Sequence, residues 1–332
     1  MKKFILRIFL FILTIIVTYN LIIYLLYGKS FLTSSCTSPK NEKYDFVLMG
    51  TSHTQVFYKY IVEKIISIKM KNLSTGAAGI IPEKIILICF FKANNKTKQI
   101  VYLLDPWILY SRRWNEDNYI LQQEGIEYSY FLKLLENNID KKVVFNYFRD
   151  KLIDNFNDFI RKSLTPKDIT PTPVPNQNLS LIKKPETLEN DHGVEEQTKR
   201  DMIMAQNTPE EQLAIDKAGD KLRLDVLYNE GLNNKNFSKY SKHLEQVILL
   251  VKKHNARIVF IIPPTLMGKM PGSENVMKLL SRYKQDYGTN YYDLSLIMQD
   301  LIFYWDREHL TEKGVEYFTQ NYLKRILTDQ QP

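Results

Sequence analysis

Runs of hydrophobic residues, each followed by a stretch with helical periodicity, set the architecture of this chain. "YDFVLMG" (44–50), "KQIVYLLDPW" (98–107) and "RIVFIIPP" (257–264) are apolar on both faces of an extended strand. That pattern belongs to a parallel sheet covered on both sides. Two weaker extended pieces, "MKNLSTG" (70–76) and "NYYDLS" (290–295), bring the count to five. Between them the apolar positions recur at helical spacing in "QVFYKYIVEKIISIK" (55–69), "IPEKIILICFFKANN" (81–95), "NFSKYSKHLEQVILLVKKHNA" (236–256) and "VMKLLSRYKQDYG" (276–288). Ser238 is a possible cap of the third. "LTEKGVEYFTQNYLKRIL" (310–327) closes the chain as a helix opened by Thr311. Strands alternating with helices predict an α/β fold with five parallel strands joined by right-handed crossovers.

Two segments stand outside that alternation. From about 128 to 232 the chain is polar and helix-compatible, and "TPKDITPTPVPNQN" within it carries too many prolines for regular structure. We read it as an insertion, part helical and part flexible. At the N-terminus, Lys2, Lys3 and Arg7 precede an uncharged apolar run from Ile8 to Tyr27. A run of that length spans a bilayer core as a helix. Large residues continue to its end, so it reads as a signal anchor rather than a cleaved peptide. The leading positive charges keep residues 1–7 in the cytoplasm and put the rest outside. The expected map is therefore an anchor at 8–27, a linker at 28–43, and one α/β domain from 44 to 332 interrupted by the insertion.

Composition narrows the functional classes. The net charge is +8, but the lysines are dispersed among acids and form no basic stripe, so nucleic acid is not an expected partner. There are two cysteines, and Cys89 inside "IILICFF" reads as a buried free thiol. His192, His243 and His254 lack metal-ligand spacing, and no phosphate loop or dinucleotide fingerprint occurs. No cofactor and no metal are expected.

In an open parallel sheet, sites form beyond the carboxyl ends of the strands. There this chain places Gly50, Thr51, Ser52 and His53 after the first strand, and Asn72, Ser74, Gly76 and Gly79 around the end of the second. Asp105 follows the third, with Arg112 and Arg113 beyond it as candidate holders of an anionic substrate. "WDREHLTEKG" follows the fifth. A serine, a histidine and an aspartate thus reach one rim from distant parts of the sequence. A serine hydroxyl needs a base to take its proton, and the base needs an acceptor to fix its tautomer. Asp306 and His309, three residues apart, can supply both to Ser52. The N–H of Ser52 at a helix start would favour a developing oxyanion. His53 points away from its neighbour Ser52 and is a pocket or structural residue, not its base.

These blocks resemble the SGNH (GDSL-like) hydrolase superfamily: Gly50-Thr51-Ser52, the segment Asn72 through Gly76, and Asp306-Arg307-Glu308-His309 continuing into Leu-Thr-x-x-Gly. The resemblance implies a flavodoxin-like three-layer fold and an acyl-serine mechanism, with Ser52, His309 and Asp306 catalytic. It also implies an oxyanion hole drawn from Ser52, Gly76 and the position of Asp105, with His53, Asn72 and Trp305 near the pocket. Where the family's third block usually brings an asparagine, this chain has Asp105, which cannot donate unless protonated. With its anchor, the chain is similar to members that move acyl groups on envelope polymers, such as the alginate O-acetylation proteins and the D-alanyl transfer protein of teichoic acid synthesis. The expected function is an esterase or O-acyltransferase on acylated envelope glycans or polymers. The alternative is a catalytically weak binding subunit that partners a membrane acyltransferase.

Overall fold

The computed structural model describes residues 40–76, 78–116, 131–136, 139–164 and 219–328, together with Thr14. The rest of the expected anchor at 8–27, the proline-rich stretch and the middle of the 128–232 segment lie outside these residues. Among the described residues no helix is long and apolar enough to cross a membrane.

Five strands form: β1 (Lys43–Gly50), β2 (Met70–Asn72), β3 (Lys96–Leu103), β4 (Arg257–Ile262) and β5 (Asn290–Asp293). They pair in the order β2-β1-β3-β4-β5, every pair parallel. Gly50 lies opposite Leu103, and Leu103 opposite Ile261, so the carboxyl ends of the three central strands are level. Alternation divides the core in two. Val47, Met49, Ile100, Tyr102 and Phe260 face the helices Ile80–Lys92, Asn234–Lys253 and Ser273–Tyr287. Phe46, Leu48, Val101, Leu103 and Ile261 face the helices Lys59–Ile66 and Glu312–Phe318. The helix Ile80–Lys92 is apolar on all sides apart from Glu83 and Lys84, and it is buried from Ile80 to Phe91.

Four local readings change. The helix expected from Gln55 to Lys69 is broken: one turn, Ser52–Gln55, ends before a second helix, Lys59–Ile66. The break lets Val56 and Phe57 enter the core, and Asn72 donates its amide to the freed carbonyls of Thr54 (2.8 Å) and Phe57 (3.3 Å). The helix of residues 234–253 is capped by Asn233, whose side chain accepts from the amides of Lys235 and Asn236, so Ser238 lies inside it. Cys89 is disulfide-bonded rather than free, and the chain's other cysteine, Cys36, lies outside the described residues. The described flanks of the 128–232 segment do not stand apart from the sheet: Leu134, Val143, Val144, Tyr147 and Leu227 are buried in the main core. From 130 to 153 the apolar residues are dense and helically spaced, and reading the whole 128–232 stretch as one polar segment hid them.

Gly50 ends β1 at φ +146°, and a Cβ there would come 2.6 Å from the carbonyl oxygen of Leu103 and also overlap the Thr54 hydroxyl. Both the torsion and the space exclude a side chain. Gly50→Ala should cost about 1–3 kcal/mol or more of stability, read as a lowered urea midpoint at unchanged slope. A midpoint equal to that of the unsubstituted protein would show that the turn can relax.

Candidate active site

The turn after β1 is fixed before any chemistry is considered. Thr51 caps the short helix: its hydroxyl accepts from the amide of His53 (3.4 Å) and donates to Asp105 (2.6 Å). Ser52 is therefore the first residue of the turn, not its cap. Its backbone N–H is one of those a helix leaves unpaired. The side chain is half-buried, on the rim level with the ends of β3 and β4.

On the far side of the sequence, residues 305–309 are tied into a tight loop. Tyr304 and Leu310 form an antiparallel bridge, the amide of Trp305 donates to the carbonyl of His309 (3.1 Å), and that of Thr311 to Phe303 (2.8 Å). Inside the loop Asp306 Oδ1 accepts from the amides of Glu308 and His309, both at 2.7 Å. That turn leaves Oδ2 facing the His309 ring. His309 Nδ1 lies 2.6 Å from Asp306 Oδ2, and His309 Nε2 lies 2.9 Å from Ser52 Oγ. Burial pushes the Asp306 carboxyl upward, but the hydrogen bond and charge of His309 and the two amides outweigh it and hold it below the usual range. The group stays a carboxylate. The indole of Trp305 stacks on the His309 ring, centroids 4.9 Å apart, and fixes its plane.

Behind this chain lies a second one that the sequence did not announce. His53 is buried, with Nδ1 2.7 Å from Asp105 and Nε2 3.0 Å from Glu308. Glu308 is held in turn by the Arg223 guanidinium, Nε at 2.5 Å and Nη2 at 2.7 Å, a bidentate pair. Burial alone would lower the basicity of His53, yet the two carboxylates raise its pKa to about 10, so it is an imidazolium. Burial would raise Glu308, yet Arg223 and His53 lower it to about 2. Glu83, buried in the first turn of its helix, accepts from the Tyr102 hydroxyl. Burial and then the charge of Asp105 push the Glu83 carboxyl well above its ordinary value, so it stays a neutral acid.

The residues singled out from sequence divide accordingly. Ser52, His309, Asp306 and Trp305 converge. Asp105 is corrected: it is fully buried, and both its oxygens are taken by Thr51 and His53, so it does not sit where an oxyanion donor would. The cause is His53, whose ring turns inward and needs a carboxylate. Asn72 braces the helix break and also accepts from the amide and hydroxyl of Ser74, which commits its whole side chain to the loop. Gly76 lies against Gln55, its position for a Cβ 3.1 Å from the side-chain oxygen. The amide of Thr75 donates to the Gly50 carbonyl at 3.2 Å, which runs this loop alongside the Ser52 turn. Arg112 pairs with Glu230 at 3.2 Å and Arg113 stands over the Trp114 ring. Both line a cleft of about 300 Å³ together with Lys142.

Glu308 and Arg223 were missed. Glu308 reads as a spacer between Asp306 and His309, and its partner Arg223 lies in the segment set aside as an insertion. A histidine beside the serine and an Asp-Pro ending the next core strand were the available signal for a second His–Asp pair. His53, Glu308 and His309 also bring ligand-type atoms within 4.8 Å of one another. Those atoms are already committed to Asp105, Arg223, Asp306, Ser52 and each other, so a metal would have to break both chains. No protein-family model matches this chain, and no curated protein matches it.

Proposed function

We propose that this protein is an SGNH-type serine acyl-ester hydrolase or O-acyltransferase of the cell envelope. The carrying observation is the continuous Ser52–His309–Asp306 chain, at 2.9 and 2.6 Å. Ser52 Oγ attacks the acyl carbonyl while His309 Nε2 takes its proton, and Asp306 holds the opposite nitrogen so that the imidazolium is oriented and stabilised. The tetrahedral oxyanion is met by the Ser52 N–H, with the Gly76 amide as second donor. His309 returns the proton to the departing alcohol, leaving an acyl-serine. A water or a polymer hydroxyl, deprotonated by His309, then attacks the acyl group and releases Ser52.

The strand order supports a flavodoxin-like fold, whose switch point lies at the β1–β3 boundary beside Ser52. The disulfide at Cys89 supports an oxidising compartment, in keeping with an anchor at 8–27 that leaves the domain outside the membrane. An O-acylated envelope glycan is the substrate class that location offers, and a membrane acyltransferase is the partner that would load the acyl group.

Incubation with a fluorophosphonate tests the reading. The intact protein should gain one phosphonyl group, located on Ser52 by peptide mass mapping. A folded protein that takes no label would favour the binding-subunit alternative, and label on any other residue would remove Ser52 as nucleophile.

A further inference from the structure

The helix at 219–227 belongs to the segment that interrupts the α/β alternation, yet it is bolted to the loop that carries the proposed base. Two ion pairs join them with charges exchanged. Arg223 holds Glu308, and Asp220 accepts from Arg307 Nε at 2.7 Å. Residues 220, 223 and 227 share one helical face. Leu227 is buried there, and its carbonyl accepts from the Trp114 indole. Outward, Leu222 and Val226 are exposed. The inner face of this helix is thus built against residues 305–309, and Glu308 passes the contact to His53 and so to the Ser52 turn.

We propose that Arg223 is a positioning residue for the acyl-transfer site, coupling the helix at 219–227 to the Ser52–His309 pair through Glu308 and His53. The inference rests on the acyl-serine reading. Arg223 touches neither Ser52 nor His309. It fixes Glu308, the one residue whose backbone lies between Asp306 and His309 in the loop and whose side chain reaches the residue after Ser52. With Arg223 in place, the charges alternate from the helix inward: guanidinium, carboxylate, imidazolium, carboxylate. Without it, the Glu308 carboxylate is buried with one cationic partner instead of two. A displacement of the helix at 219–227 that withdrew Arg223 would therefore be felt at the catalytic loop.

The test compares Arg223→Met, Arg223→Lys and the unsubstituted full-length protein in detergent, with p-nitrophenyl acetate as probe. Arg223→Met should lower kcat on the order of tenfold at nearly unchanged KM, because a misplaced catalytic loop loses transition-state contacts rather than binding. Arg223→Lys, which keeps the charge but not the fork, should recover part of the loss. The fall in urea midpoint between pH 4.5 and 2 should be smaller in Arg223→Met than in the unsubstituted protein. Glu308 is faced by His53 and Arg223, with Asp105 beyond the ring and Asp306 and His309 on its own loop, and losing Arg223 removes one of the two cations that keep it ionised. Nitrogen-15 spectra of labelled histidines give a readout independent of turnover: the His53 and His309 resonances should shift in Arg223→Met and return toward their original positions in Arg223→Lys. Unchanged kinetics, acid dependence of the urea midpoint and imidazole resonances would overturn the assignment. If even the unsubstituted protein lacks ester turnover and fluorophosphonate labelling, the acyl-serine reading fails, and the spectra still decide whether Arg223 positions the loop.

Discussion

His309→Ala should lower kcat for ester hydrolysis on the order of 10³- to 10⁶-fold, with KM little altered. The ring nitrogen 2.9 Å from Ser52 Oγ is the group placed to take that proton, and without it the hydroxyl remains a weak nucleophile. Asp306→Asn is the more informative partner. Asp306 accepts from His309 Nδ1 at 2.6 Å, which leaves Nε2 as the lone-pair nitrogen facing serine. An amide that turned its NH₂ toward Nδ1 would reverse the tautomer, so that Nε2 donates to Ser52 instead of accepting. The expected loss is about 10⁴-fold, again in kcat. The double variant should be little worse than His309→Ala alone, because the two residues act as one unit. Steady-state kinetics with p-nitrophenyl acetate measure all three. A His309→Ala protein within tenfold of the parent would mean that another base serves Ser52.

The convergence of Ser52, His309 and Asp306 was legible because each requirement is local. The glycine turn lifts Ser52 at the end of a core strand, and the three-residue spacing of Asp306 and His309 suits a turn in which one carboxylate meets both amide and imidazole. The parallel order of the strands then brings the two pieces to one rim. The second chain was not legible, because its partners are joined only by tertiary packing. Arg223 and Glu308 are separated by 85 positions and His53 and Glu308 by 255, and no periodicity links such pairs. Asp105 misled for a related reason. Its place at the end of β3 was correctly read as part of the rim, but side-chain direction decides whether a group faces the cleft or the core. Here the buried His53 takes it inward. The break after Gln55 escaped for a third reason: Val56 and Phe57 continue a helical pattern of apolar residues, while the side chain that stabilises the break comes from Asn72 on another strand.

Asp105→Ala should be among the most destabilising single substitutions in the protein, at about 3–5 kcal/mol, because it strips one partner from a buried charge. His53 would keep Glu308 alone, and the Thr51 hydroxyl would lose its acceptor. The pH dependence separates this electrostatic cause from a simple cavity. The folded-state pKa of His53 is raised from 6.5 to about 10, so its contribution is complete below 6.5 and is lost as pH rises toward 10. Glu308 is lowered from 4.5 to about 2, so its contribution is complete above 4.5 and is lost as pH falls toward 2. The two together give a window of full effect between about pH 4.5 and 6.5. Urea midpoints of the parent should therefore decline from pH 6.5 to 10, and Asp105→Ala should both lower the curve and flatten that decline. His53→Leu with Asp105→Leu, which removes the pair together, should cost less than Asp105→Ala, since no unpaired imidazolium is left behind. A parent whose stability does not change between pH 6.5 and 10 would rule out a buried imidazolium at His53. His53 would then be a neutral imidazole, and Asp105→Ala should cost no more than losing its hydrogen bonds to Thr51 and His53.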